Sequence, residues 1–237
     1  MKKFYKDVTT GSAVGGGYVV LLDGRPVRTP AKALMNAPTA KLAESIAAEW
    51  AAQDDVINAE TMPLTQILVT AIDRAGPQRE AITVSALAYL DSDLLCYHAD
   101  EPAGLMAEQG KLWAPWLRWF EKRFNGIPLQ TTYALARLDQ PQAAHDAVAP
   151  VVDALDTQHF TVFQIVTNLT GSIILGLAFI EGAASADDVL ACSLCEELYY
   201  ERTLDLEKHG LDPNEARRRA ALKRDLDAAS AYLQAII

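Results

Sequence analysis

The chain has 237 residues, half of them apolar, with a formal charge of −10. Such a length and composition give a folded protein with a sizeable core and exclude a disordered tail. The acidic balance repels phosphate backbones and anionic lipid surfaces, which argues against nucleic-acid and membrane partners. The longest apolar run, residues 173–180, is too short to cross a bilayer. Three cysteines, an odd number, fit a reducing compartment better than a disulfide framework. The start, MKKFYKDV, lacks the apolar centre of a signal peptide. The expectation is a soluble cytoplasmic protein, or a matrix-type protein already processed.

Taken in order, residues 4–9 read as a short strand and residues 11–17 as a flexible connection. The apolar run from Tyr18 ends at Asp23-Gly24, the dipeptide suited to a type I′ hairpin turn. Residues 25–29 form the returning strand, which Pro26 and Pro30 mark as short or at an edge. Residues 29–35 add a further strand. After Pro38, Thr39 is an N-cap for a helix with Leu42, Ile46 and Trp50 on one face.

Pro63 opens a second helix with a stripe of Leu64, Ile67, Leu68, Ala71 and Ile72, stopped by Gly76-Pro77. Further helices are expected over 78–97, 104–125, 141–155, 159–181, 186–209 and 213–235. In the fourth, Leu112, Trp113, Trp116, Leu117, Phe120 and Phe124 form a wide apolar face, and Pro115 should start or kink it. The fold class is therefore α+β. A small, mainly β N-terminal domain (residues 1–76, with one or two helices) precedes a larger all-helical domain (residues 77–237).

Most candidate chemistry has a plainer structural explanation. Gly15-Gly16-Gly17 lacks the Lys-Ser/Thr and following helix of a phosphate loop. Cys192 and Cys195 form a single C-x-x-C with no second pair, and read as core packing. Asp91, Asp93, His98, Asp100 and Glu101 form the one dense cluster of possible metal ligands, and a metal-dependent hydrolase built on Asp91, Asp93 and His98 is the alternative they support. Yet two helical residues two apart diverge by about 200°, so a solvated helix end is the favoured reading. No nucleophile or zinc-protease signature occurs, and no cofactor is expected.

The helix over 186–209 is more informative. At 100° per residue, Leu190, Ala191, Leu194, Cys195 and Leu198 form a buried stripe. Glu197 and Glu201 lie one turn apart at its edge, and Glu196 points to solvent. Neighbouring carboxylates at this spacing repel by about 0.2–0.5 kcal/mol. They are tolerated if a cation is supplied, either from elsewhere in the fold or by a partner protein. Lys208 lies on the same line two turns on.

Six blocks carry a resemblance: LDGRPVRTPAK (22–32), LAESIAAEWAAQ (42–53), MPLTQILVTAIDR (62–74), SDLLCYHA (92–99), QGKLWAPWLRWF (109–120) and LTGSIILGLAF (169–179). In this order they resemble the ATP synthase assembly-chaperone family whose members bind the α subunit of the catalytic head. The resemblance implies an N-terminal β domain, a larger helical domain and no ATPase of its own. It implies a protein that holds the unassembled α subunit until the β subunit displaces it. The last quarter departs from the family pattern of an Asp-Glu pair, an aromatic and a Gln, then Trp-Gly and acidic residues. Glu196-Glu197-Leu198-Tyr199-Tyr200 matches best, with Tyr200 at the Gln position and His209-Gly210 too late for Trp-Gly. Counting back from His209 instead selects Glu201-Arg202. The resemblance thus carries the family's functional glutamate to Glu197, with Glu201 as rival. The expectation is a non-enzymatic chaperone that contacts the α subunit through Glu196, Glu197 and Glu201. A generic scaffold for another complex is the other alternative.

Overall fold

The structure, a computed structural model, describes residues 1–203 and 213–237. A small antiparallel sheet near the N-terminus is followed by a larger helical region. The chain forms two compact units. One contains Met1–Arg79, Asp156–Val162 and Ala228–Ile237, and the other contains Glu80–Leu155 and Phe163–Asp227.

In the first unit, β2 (Tyr18–Leu22) is central. It pairs with β1 (Val8–Ser12) on one side, and with β3 (Arg25–Pro26) and β4 (Asn36–Ala37) on the other. Asp23 and Gly24 both have positive φ, 48° and 77°, and join Leu22 to Arg25 in the expected two-residue turn. The glycine run is itself a hairpin turn joining β1 to β2. Gly15, Gly16 and Gly17 all have positive φ, and the Ala13 N–H donates to the Gly17 carbonyl at 2.9 Å. That is a conformation most side chains avoid.

Two strand boundaries differ from expectation for one reason: side-chain carboxylates take the backbone donors. The expected strand at 4–9 begins only at Val8. The N–H groups of Lys6 and Asp7 donate instead to Asp23 Oδ1, at 3.0 and 2.9 Å. Those two bonds hold the Asp23 carboxyl below its usual range. The expected strand at 29–35 is a turn, with β4 beginning at Asn36. Asp73 accepts there from Thr29 Oγ1 at 2.6 Å and from the Ala31 N–H at 3.0 Å.

Helix α1 (Ala40–Ala51) is capped by Thr39, whose side chain accepts from the Leu42 N–H, and it buries Leu42, Ala43 and Ile46. Near its end Glu49 accepts from the Leu64 and Thr65 N–H groups and the Thr65 hydroxyl, at 2.7, 2.8 and 2.6 Å. A carboxylate there satisfies the orphan donors of α2 (Pro63–Thr70). Helix α2 continues as a π turn, Ala71–Ala75, before Gly76.

In the second unit the expected helix over 78–97 is interrupted. Helix α3 (Arg79–Leu87) tightens into a 3-10 turn, Ala88–Ser92, and the backbone extends at Asp93 (φ −62°, ψ 130°) before a second 3-10 turn, Leu94–Cys96. Asp93 is fully buried, which corrects the reading of a solvated helix end. Ser172 Oγ donates to its two oxygens at 2.8 and 2.9 Å. The Leu95 and Ile174 N–H groups donate at 3.0 and 3.1 Å. Burial pushes its carboxyl up to about 6, against the pull of these donors.

Helix α4 (Ala103–Arg123) runs through Pro115 and buries Leu105, Gln109, Trp113 and Phe120. Helix α5 spans Gln142–Asp153. The single helix expected over 159–181 is two, α6 (Thr157–Thr170) and α7 (Ile173–Ile180). They are split by Gly171 at φ 67° and by Ser172 as the N-cap of α7. Helices α8 (Ala186–Ser193), α9 (Cys195–Thr203) and α10 (Pro213–Ile236) complete the described elements. The C-terminal part of the expected helix over 186–209, with Lys208 and His209, lies outside the described residues.

Two predictions follow from this packing. A Cβ added at Gly176 in α7 would lie 2.3 Å from Thr167 Oγ1 and 3.3 Å from the Phe163 carbonyl of α6. Gly176→Ala is expected to cost about 1–3 kcal/mol in urea unfolding, and an added Thr167→Ala to restore part of it. No loss in the single variant would refute the close contact. Asp93 has a native value of about 6, above its unfolded value of 3.8, so the native state holds more protons across that interval. Its contribution to stability is therefore present at low pH and lost as pH rises through about 6, by an amount on the order of 3 kcal/mol. The difference in unfolding free energy between wild type and Asp93→Asn, measured from pH 4 to 7, should fall accordingly. A pH-independent difference would overturn the assignment.

Candidate functional site

The acidic edge lies on the first two turns of α9, beside α4 and the N-terminal half of α10. Helix α8 ends at Ser193, whose hydroxyl donates back to the Val189 carbonyl at 2.7 Å, and Leu194 leaves helical geometry (φ −105°, ψ 13°). Such back-bonding bends helices. The break resets the angular phase, so the wheel drawn across 190–201 does not hold. Leu194 and Cys195 are buried as expected, but Leu190, Ala191 and Leu198 are only half-buried, and Val189 and Cys192 take their place.

The correction matters most at Glu196. It does not point to solvent. Its Oε1 accepts from Gln109 Nε2 at 2.7 Å, and Gln109 is fully buried in α4. Gln109 is fixed in turn, because its Oε1 accepts from the Ala99 N–H at 2.8 Å. Burial, followed by the neighbouring Glu197 charge, raises the Glu196 carboxyl above its usual range, and the Gln109 bond only partly offsets this.

Glu197 and Glu201 receive cations from within the fold, one of the two alternatives the sequence left open. Glu197 Oε1 accepts from Arg218 Nη2 at 2.7 Å, and Glu201 pairs with Arg219. Glu215, one turn before them on α10, bridges both arginines at 2.8–3.0 Å. The two guanidinium groups pull its carboxyl down to about 2, and Glu215 raises Arg218 in return. Glu108 of α4 pairs with Arg202. Five carboxylates thus face three arginines. Among the described residues Glu196 is the one of the five without an ion pair.

The other candidates are occupied by structure. Asp91 accepts from the Gln140 N–H, Arg137 and His145 at 3.0, 3.0 and 3.1 Å. The His98 ring contacts the Leu95 carbonyl at 3.1 Å and packs edge-on against Trp113, and burial lowers its proton affinity. Asp91, Asp93 and His98 therefore do not converge, and no metal-binding group of three or more ligands occurs among the described residues. Burial pushes the thiols of Cys192 and Cys195 up to about 12 and about 11, so neither is a thiolate at neutral pH.

Sequence reasoning missed Gln109 and the roles of Arg218 and Arg219. Gln109 left a readable signal: it is a polar residue midway between Leu105 and Trp113, four residues from each, on the buried stripe of α4. The arginines left only local charge alternation, because their partners are 18 and 21 residues away.

Burial separates the two arginine pairs. The Arg219 side chain is 16% exposed and that of Arg218 is 51% exposed. Arg219→Ala should cost about 1–2 kcal/mol in thermal or urea unfolding, because it strips Glu201 and Glu215 of a partly buried donor. Arg218→Ala should cost less than about 0.5 kcal/mol, as for a screened surface pair. Equal losses would contradict this ordering.

The sequence model of the ATP12 chaperone protein family matches residues 2–121. The chain is similar in structure to Atp12 from Paracoccus denitrificans, with 31% identity, a TM-score of 0.87, and 100% of this chain and 98% of that one covered. A variant of that protein with one aspartate replaced by lysine gives the same figures. The Atu1473 protein of Agrobacterium tumefaciens, a chaperone candidate, is 35% identical with a TM-score of 0.87, covering 100% of this chain and 86% of that one.

Proposed function

Because the chain belongs to the ATP12 chaperone family, we propose that it is an assembly chaperone of the F-type ATP synthase catalytic head. It binds the unassembled α subunit and shields its subunit interface until the β subunit takes its place. It acts by binding, without a catalytic step or cofactor, as a monomer in a bacterial cytoplasm. The observation that carries this reading is the match of the family over the N-terminal half, together with structural similarity along the whole chain.

The physical task is simple. An orphan subunit exposes the apolar surface meant for its neighbour, and such a patch is an aggregation liability. A reversible cover needs an interface of about 1,200–2,000 Å², which a better-fitting partner then displaces. We place the contact at Glu196, Glu197 and Glu201. A basic side chain of the α subunit would meet Glu196, which lacks a cation among the described residues, or would compete with Arg218 and Arg219 for the other two. Charged contacts of this kind fix orientation and association rate.

Co-expression with the cognate α subunit is expected to yield a soluble one-to-one complex. Its absence would sink the α-subunit reading. Glu196→Lys, Glu197→Lys and Glu201→Lys should each keep the circular-dichroism spectrum and lose about tenfold or more in capture of the α subunit. The loss should be greatest at Glu196, where no internal pair has to break first. Undiminished capture by all three would remove the acidic edge from the interface.

A further inference from the structure

The first unit carries a groove that the chaperone reading leaves without a role. Two depressions of about 600 and 510 Å³ share Met1, Val27, Arg28 and Trp50 along their common wall, so they form one elongated trough. Its lining is mostly apolar and includes Met35, Ile57, Met62 and Val69. Met1, at 72% exposure, and Phe4, at 63%, stand open at its mouth.

Charge at the rim contrasts with the rest of the molecule. Residues 1–32 contain six Lys or Arg against two Asp, a local excess of +4. The other 205 residues contain 15 Lys or Arg against 29 Asp or Glu, an excess of −14. Arg25 and Arg28 line the trough, are exposed, and form no ion pair among the described residues. The one carboxylate of the lining, Asp23, is already engaged by the Lys6 and Asp7 N–H groups. In the wall, the indole N–H of Trp50 is buried and has no acceptor among the described residues. Buried donors are seldom left unpaired.

An elongated apolar floor and a cationic rim together select one kind of occupant. We propose that this groove docks an acidic, apolar polypeptide segment of the protein that the chaperone holds. Apolar side chains of the segment fill the floor, and its carboxylates meet Arg25 and Arg28. Only the source of the segment rests on the function proposed above. The chemistry of the groove does not.

The test uses the full chain and a fluorescein-labelled peptide of about twelve residues, with leucines and a phenylalanine at its centre and glutamates on both flanks. Saturable binding by fluorescence anisotropy is expected. It should weaken about tenfold or more in Arg25→Glu/Arg28→Glu and fall with added salt. Counterparts with lysine for glutamate, or serine for leucine and phenylalanine, should not bind. No saturable binding, equal binding of the lysine peptide, or full binding by the double arginine variant would each overturn the groove. So would a dimer in sedimentation that the double variant abolishes, since a second copy would then be the occupant. Capture of the α subunit by wild type but equally by the double variant would overturn the assigned source. Peptide binding with the expected charge dependence, but no α-subunit complex, would leave the groove standing and remove the α subunit.

Discussion

The carboxylate of Asp93 organises the second unit. A charge sealed from water must be met by donors, because the cost of stripping its hydration exceeds any single contact it makes. Here the donors are the hydroxyl of Ser172 and backbone N–H groups at the start of α7 and in the turn after Asp93. Satisfying them requires two interruptions, an extended residue at Asp93 and a left-handed residue at Gly171. The Leu94 N–H closes the arrangement on the Gly171 carbonyl at 3.0 Å. The turn that results leads to Ala99, whose N–H orients Gln109, which in turn holds Glu196. Gln109 thus ties Glu196 to the segment that follows the Asp93 turn.

The same device recurs in the first unit. Glu49 meets the first donors of α2, Asp73 holds the turn after Thr29, and Asp23 fixes the segment before β1. In each case a carboxylate takes backbone donors that would otherwise need water or a neighbouring strand. A small sheet of short strands has few ladder bonds of its own. These side-chain contacts define its edges. Five of the blocks that carry the family resemblance contain these acids or their partners: Asp23 and Thr29, Glu49, Thr65 and Asp73, Asp93, and Ser172. Those blocks therefore describe the scaffold.

The acidic edge obeys a different logic. Glu197 and Glu201 would repel if left alone, and α10 neutralises them with Arg218 and Arg219. Internal pairing lowers what either glutamate would gain from a partner's cation, since one pair must open before another forms. Glu196 is held in place without an ion pair among the described residues, and its raised proton affinity comes from burial first and the neighbouring Glu197 charge second. A contact that supplied a cation there would gain from the same burial that now penalises the carboxylate.

Much of the fold was legible in the sequence because its signals are local. The Asp23-Gly24 turn, the Thr39 cap, the Pro63 helix start and the division into a small β part and a larger helical part all depend on residues within a few positions of one another. The presence of Glu196, Glu197 and Glu201 on one helix was equally legible. Which way they face was not, because a wheel assumes unbroken helix and α8 ends at Ser193. The break at Gly171-Ser172 was not read from the sequence, where a single helix over 159–181 is expected, because it depends on Asp93, 79 residues earlier, being in place to receive it. The strand limits at Val8 and Asn36 likewise depended on carboxylates 16 and 42 residues from the backbone donors they hold, at Asp7 and Ala31. Sequence by itself determined which residues favour a turn, a cap or a helix, since those preferences are set by each residue's own backbone and nearest neighbours. Tertiary structure alone decided where each helix breaks and which glutamate stands without a cation among the described residues, because a buried charge takes its partners from wherever the folded chain brings donors within reach.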